Sequence, residues 1–286
     1  MTGTRLRQRM HSKGSLLMPG AYNPFVAILI ERAGFDGVYI SGAGLANSLG
    51  LPDDGRLQRK DFAYFAQFIT RAVSVPVLCD ADTGLDQGEK DGIQKTARTF
   101  IECGLAGLHI EDQVFPKRCG HLQGKEVVER EEMEEKIRRF VIARDKYDAD
   151  FLIIARTDAR GAGNIPDARQ LEECIERGKA YAAAGADVVF PESLRSLEEF
   201  REVRARVDGP LMANMTEFGQ TPLLTARQFE ELGYKIVIYP VSLLRFAAGQ
   251  TTSALESLKA NGNQRQLIDG MLTRDQINGL LGYKPE

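Results

Sequence analysis

No apolar run in this chain approaches the roughly 20 residues that a bilayer-spanning helix needs, so no membrane partner is expected. Charge of one sign is also lacking. There are 37 basic residues against 40 acidic ones, a formal net charge of -3. Nucleic-acid binding leaves a basic footprint, and none is present. Cysteine is sparse: Cys79, Cys103, Cys119 and Cys174 are scattered, with no Cys-x-x-Cys pair. A disulfide framework is therefore not expected. Three of the thiols fit as small buried apolar residues, and a reducing cytoplasm suits the chain. No Gly-x-Gly-x-x-Gly follows a strand and no P-loop is present, so the usual cradle for a nucleotide phosphate is missing. The basic opening segment has no apolar stretch before a cleavage-like site, which argues against a secretory signal. An Arg-rich organelle-targeting segment is the alternative, weakened because these residues run straight into the first apolar run.

What is present is repetition. Eight short apolar runs occupy residues 16–19, 37–41, 77–82, 107–112, 151–157, 187–191, 211–215 and 236–240. Most are continuous rather than alternating, as in strands buried on both faces. Between them lie stretches with apolar spacing of three and four, such as 24–33 and 133–144. Several end in a small-residue turn at Gly34, Gly104, Gly185 or Gly233, where a left-handed glycine can stop a helix. This alternation predicts an α/β fold with parallel strands. At this length it is met by one (β/α)8 TIM-type barrel over 1–250, with extra C-terminal helices over 251–286 for subunit contacts. An open doubly wound sheet is the alternative.

In such a barrel the catalytic groups sit at the C-terminal strand ends. The second run delivers Tyr39 and Ser41, then Gly42-Ala43-Gly44, which is either a backbone nest for an anion or an ordinary turn. The third ends Asp80-Ala81-Asp82, and strand alternation points both carboxylates the same way. A hard divalent cation with oxygen ligands, Mg2+ or in its place Mn2+, resolves their repulsion; two separately solvated carboxylates are the alternative. Asp53 and Glu111 are candidate further ligands, through water. His109, inside an apolar run, fits a core histidine better than a ligand. Arg156 and Arg245 suit bidentate clamping of carboxylates, although Arg156 and Asp158 can equally form a structural pair. Asn214 and Thr216 offer hydrogen bonds to a second carboxylate. Together these ends suit a small polyanionic substrate. The loop after the fourth run reads Lys117-Arg118-Cys119-Gly120-His121, and a thiol flanked by cations gives up its proton more readily.

The sequence resembles the isocitrate lyase/phosphoenolpyruvate mutase superfamily, and within it the methylisocitrate lyase branch. The resemblance rests on Val38–Gly44, Ser48–Gly55, Asp80–Gly84, Gly107–Gln113, Lys117–His121, Ala155–Ala159, Phe190-Pro191-Glu192, Ala213–Pro222 and Tyr239–Arg245. It implies a barrel with a C-terminal helix swapped between subunits of a homotetramer, built as a dimer of dimers. It implies Mg2+ on Asp80 and Asp82, with Asp53 and Glu111 helping through water. It places a di- or tricarboxylate on Ser41, Gly42, Ala43, Cys119, Gly120, Arg156, Glu192, Asn214, Thr216 and Arg245. Arg274 matches an arginine that the swapped helix brings near the site. Two departures stand out: a charged loop at 86–91, and Gly92-Ile93-Gln94-Lys95-Thr96 where relatives commonly have Asn-x-x-Arg-Thr.

The chemistry implied is retro-Claisen/aldol cleavage of 2-methylisocitrate to pyruvate and succinate. Tyr39 or Glu111 takes the hydroxyl proton. Cys119, with His121 beside it, gives a proton to the carbanion carbon. Cleavage of 2,3-dimethylmalate and hydrolysis of oxaloacetate are the alternatives within the class. Pro240 leans away from the latter, where the family tends to carry serine. Phosphonate chemistry of the phosphonopyruvate type is the alternative outside it.

Overall fold

The computed structural model describes residues 2–12, 14–118, 120–121 and 124–283. Cys119 lies outside the described residues. The eight apolar runs are eight strands: β1 (Leu16–Pro19), β2 (Val38–Ile40), β3 (Val77–Asp80), β4 (Gly107–Glu111), β5 (Leu152–Thr157), β6 (Val188–Pro191), β7 (Met212–Asn214) and β8 (Ile236–Tyr239). The helices are α1 (Thr2–Met10), α2 (Pro24–Arg32), α3 (Gly42–Ser48), α4 (Arg59–Ala72), α5 (Gly92–Glu102), α6 (Arg130–Tyr147), α7 (Asp167–Ala183), α8 (Leu197–Arg206), α9 (Ala226–Leu232), α10 (Ser242–Asn261) and α11 (Arg274–Leu280).

Every strand pairing is parallel. One sheet runs β2-β3-β4-β5-β6 and the other β1-β8-β7. Single parallel bridges, Gly20 to Tyr39 and Val189 to Leu211, join the sheets at both seams. The order is sequential around the ring, as a (β/α)8 barrel requires, but the regular ladder does not close at the seams. A doubly wound sheet reverses its strand order at a switch point, and this order has no reversal.

The local code is visible at the turns. Gly34, Gly104, Gly185 and Gly233 have φ of 83, 81, 105 and 80°, so each ends its helix in the left-handed region that side chains avoid. Asn23 caps α2, its side chain accepting from the Val26 amide at 2.9 Å, with Pro24 at the first helical position. Inside the ring, Met18, Tyr39, Leu78, Leu152, Ile154, Phe190, Met212 and Ile236 pack as one buried cluster.

Helix α1 is a departure from expectation, because the basic opening segment gave no sign of a helix. It docks at the N-terminal ends of the strands and sends Leu6, fully buried, into that cluster. Full burial of a leucine contributes about 1.5–3 kcal/mol. The approach is close: a Cβ on Gly3 would stand 2.5 Å from the Asp150 carbonyl oxygen. Arg7 donates to that same carbonyl at 2.9 Å and to Asp187 at 2.8 Å.

At the other end of the chain, no residue of α10, of the 3-10 turn Arg265–Gly270 or of α11 is buried. The division expected at 250/251 falls inside α10, which runs unbroken to Gly262, where φ is 65°. Among the described residues no helix is long and apolar enough to cross a membrane. Cys79 and Cys174 are buried and Cys103 half-buried, and all three are free thiols.

Candidate active site

The C-terminal strand ends enclose a cavity of about 170 Å³. Its lining includes Tyr39, Ser41, Ala43, Asp53, Asp80, Glu111, Lys117, Arg118, Gly120, His121, Arg156, Glu192, Asn214, Thr216, Pro240 and Arg245. Most of the residues expected from the sequence therefore meet in one place. Asp82, Gly42 and Arg274 do not line it. Arg274 is exposed, at the first turn of α11.

The segment Gly42-Ala43-Gly44 is neither nest nor simple turn. It is the first turn of α3, capped by Ser41, whose Oγ accepts from the Gly44 amide at 3.3 Å. The Gly42 amide, expected to meet a substrate anion, donates to Asp80 Oδ2 at 3.1 Å.

The acid pair also differs in detail. Strand β3 stops at Asp80, and Asp82 lies beyond it with φ of 44°. Alternation therefore does not relate the two carboxylates. Instead Asp80 Oδ1 accepts from the Asp82 amide at 2.9 Å. Among the described residues, no three His, Cys, Asp or Glu side chains gather as a metal cluster. The expected set of Asp53, Asp80, Asp82 and Glu111 is interrupted by Lys117. Its buried ammonium lies 2.5 Å from Asp53 Oδ1 and 2.9 Å from Asp82 Oδ1. The Lys117 charge, expected to activate the Cys119 thiol, is spent on these carboxylates. Among the described residues Glu111 Oε1 has no hydrogen-bond partner despite burial, whereas Asp82 Oδ1 has the Lys117 ammonium against it. Burial, only partly opposed by Lys117, raises the Asp82 pKa to about 6. Burial also pushes the Glu111 carboxyl well above its usual range, although Arg156 pulls it down.

His109, expected in the core, is buried but not idle. Its Nε2 lies 2.5 Å from the Tyr39 hydroxyl and 3.5 Å from Asp80 Oδ1. Burial keeps its imidazole below the usual pKa, favouring the neutral form. The two-residue period of β4 was the available signal, since it puts His109 and Glu111 on the same face.

Arg156 forms the structural pair with Asp158 and also lines the cavity. Its Nε and Nη2 meet Asp158 at 2.8 and 3.0 Å. Its Nη1 lies 3.4 Å from Glu111 and 3.6 Å from Glu192. Asp158 also accepts from Lys125 at 2.9 Å, a residue given no site role from the sequence. Gly120 fits here because a Cβ would stand 2.2 Å from Arg156 Nη2. His121 Nδ1 accepts from the Gln220 amide at 3.0 Å, which leaves the proton on Nε2, 2.8 Å from Glu192 Oε1. Burial disfavours the Glu192 charge, but Arg156 and His121 outweigh it and bring its pKa to about 2. Asn214 donates to Glu192 at 3.1 Å. Arg245 donates to Thr216 Oγ1 at 3.1 Å and to the Glu217 carbonyl at 2.7 Å. The expected carboxylate binders thus have protein partners: Arg156 with Asp158, Asn214 with Glu192 and Arg245 with Thr216.

A sequence model described as phosphoenolpyruvate phosphomutase matches residues 6–259. A curated relative, "2-methylisocitrate lyase" of Aeropyrum pernix, is 46% identical over 98% of this chain and 87% of its own. A solved 2,3-dimethylmalate lyase, described as a PEP mutase/isocitrate lyase superfamily member, superposes with a TM-score of 0.89 at 36% identity. That match covers 99% of this chain and 92% of the other. A solved complex of phosphonopyruvate hydrolase with oxalate and Mg++ superposes with a TM-score of 0.86 at 29% identity, covering 99% and 95%.

Proposed function

Because this chain belongs to the phosphoenolpyruvate phosphomutase family, within the isocitrate lyase/PEP mutase superfamily, we propose that it is a carbon–carbon lyase that cleaves 2-methylisocitrate to pyruvate and succinate. One observation carries the reading: a single pocket combines the acids Asp53, Asp80 and Glu111 with the arginines Arg118, Arg156 and Arg245. A 2-hydroxy tricarboxylate needs both, acids to hold a cation at its hydroxyl and arginines to hold its carboxylates.

The acids suit a divalent cation. Among the described residues Glu111 Oε1 is buried without a hydrogen-bond partner, and an ammonium already stands between Asp53 and Asp82. Asp80 and Asp82 would hold Mg2+ directly, and Asp53 and Glu111 through water. When bound, the cation supplies Lewis-acid stabilisation of the negative charge that cleavage develops.

The chain's own groups do the rest. Arg156, Arg245, Asn214 and Thr216 exchange protein hydrogen bonds for the substrate's carboxylates, and Ser41, Ala43 and Gly120 shape the wall. Tyr39 Oη is one candidate to take the hydroxyl proton, passing its own to His109 Nε2 at 2.5 Å. Glu111 is the other candidate base. Cys119 Sγ then delivers a proton to the carbanion carbon of the leaving succinate. His121, two positions along the chain from that thiol, is held between Glu192 and Gln220.

The finer architecture follows the same reading. The eight strands act as one (β/α)8 barrel. The unburied α10 and α11 are exchanged between subunits of a cytoplasmic homotetramer, and this exchange carries Arg274 to a neighbouring pocket. The test is keto-acid release, with Mg2+, from 2-methylisocitrate, isocitrate, 2,3-dimethylmalate and oxaloacetate. Methylisocitrate should be preferred. Turnover of only one of the others, or full activity without a divalent cation, rejects the assignment.

A further inference from the structure

Behind Arg156, on the side away from the pocket, lies a buried charge cluster that the proposed chemistry does not use. Lys125 and Asp158 are almost completely shielded, with side-chain exposures of 1% and 0%. Asp158 Oδ1 is shared by Lys125 Nζ at 2.9 Å and Arg156 Nη2 at 3.0 Å, while Oδ2 takes Arg156 Nε at 2.8 Å. Its amide donates to Asp112 Oδ1 at 2.8 Å. Asp112 is in turn held by Arg177 at 3.1 Å and Tyr181 at 2.7 Å from α7. The carboxylate is therefore fixed from two sides.

The charge count decides what this does. An Arg156–Asp158 pair alone is neutral, and a closed neutral pair draws a substrate carboxylate weakly. Lys125 adds a second positive charge on the same carboxylate. The trio then carries a net charge of +1, and Arg156 Nη1 lies toward the pocket carboxylates Glu111 and Glu192, at 3.4 and 3.6 Å.

We propose that Lys125 is a positioning residue: by sharing Asp158 it orients Arg156 and leaves its positive charge available to a carboxylate of the substrate. This rests on the lyase reading above. Lys125 touches no substrate in this scheme. It has a second anchoring contact, since its carbonyl accepts from the Gly163 amide at 2.7 Å, so its backbone stays fixed when the side chain changes.

The experiment compares wild type, Lys125→Met, Lys125→Gln and Lys125→Arg, by kinetics on 2-methylisocitrate and by calorimetric titration with succinate. Loss of one charge-assisted contact weakens binding by roughly tenfold or more. Both neutral variants should raise KM and the succinate Kd by about that factor, with kcat changed less than about threefold, and Lys125→Arg should restore both. The Gln variant keeps a donor toward Asp158, so it is read if the Met variant does not fold. Unchanged KM and Kd in a folded neutral variant overturns the proposal. So does an equal loss in the Arg variant, because charge would then not be the cause. A wild type that does not turn over methylisocitrate rejects the lyase reading instead; the succinate titration then judges Lys125 by itself.

Discussion

The ammonium of Lys117 and a divalent cation should compete for the same acids, and the variant Lys117→Met tests this. Lys117 is buried, with side-chain exposures of 5% for itself, 18% for Asp53 and 7% for Asp82. Removing one partner from a buried ion pair costs about 3–5 kcal/mol. Asp53 is partly solvated, so the low end, about 3 kcal/mol, is expected for the metal-free protein. At roughly 2 °C per kcal/mol for a chain this long, the melting temperature should fall by about 6 °C. Magnesium should act in the opposite sense. Two unit charges about 4 Å apart interact by about 4 kcal/mol at an effective dielectric of 20, so losing the ammonium should tighten Mg2+ by at least tenfold. Tenfold tighter binding adds about 1.4 kcal/mol at saturation, or about 3 °C. Differential scanning calorimetry of both proteins, with and without saturating Mg2+, gives the four numbers required. The magnesium-induced rise should be larger in the variant. Equal rises would refute the competition and remove Lys117 from the cation site.

Cys119→Ser should lower turnover by roughly 10²–10⁴-fold, the usual worth of a positioned acid, while Mg2+ titration stays unchanged; full activity would exclude the thiol as proton donor. Glu192 has a folded-state pKa of about 2 against an ordinary 4.5. A depressed carboxylate contributes stability above its unfolded pKa and loses it as pH falls through the folded one. Urea unfolding should therefore weaken between about pH 4.5 and 2, and Glu192→Gln should flatten that limb. Leu6→Ala should cost about 2–5 kcal/mol by leaving a hole in the interior cluster, and denaturant unfolding would reveal a smaller loss if α1 were only loosely attached.

All eight strands were legible to within two residues at either end. Strands buried on both faces have no polar side to interrupt the apolar run, as Leu152–Thr157 illustrates. The helix stops at Gly34 and Gly233 were legible for a local reason too, because only the neighbouring backbone decides their φ. What failed to show was set at long range. Helix α1 is polar apart from Leu6 and Met10, and it is held by contacts with residues 104, 150 and 187. Lys117 meets Asp53 across 64 positions, so a local pattern shows a cation beside a thiol and cannot show the carboxylate that takes it. His109 was legible as a core residue and is one, 1% exposed, but its Tyr39 partner lies 70 residues away and did not show. Asp80 and Asp82 were assigned to one face on the assumption that β3 continued, but the strand ended two residues early.

The register of β1 against β8 pairs Leu16 with Ile236. A ribosome must therefore produce some 220 residues after the first strand before that strand's partner exists. Until then both flanks of the growing sheet expose unpaired amides and carbonyls, an invitation to intermolecular pairing. Contacts so distant along the chain also slow the final search. Truncated or stalled chains ending before residue 236 should accordingly be aggregation-prone and chaperone-dependent, a vulnerability that comes from joining the first strand to the last.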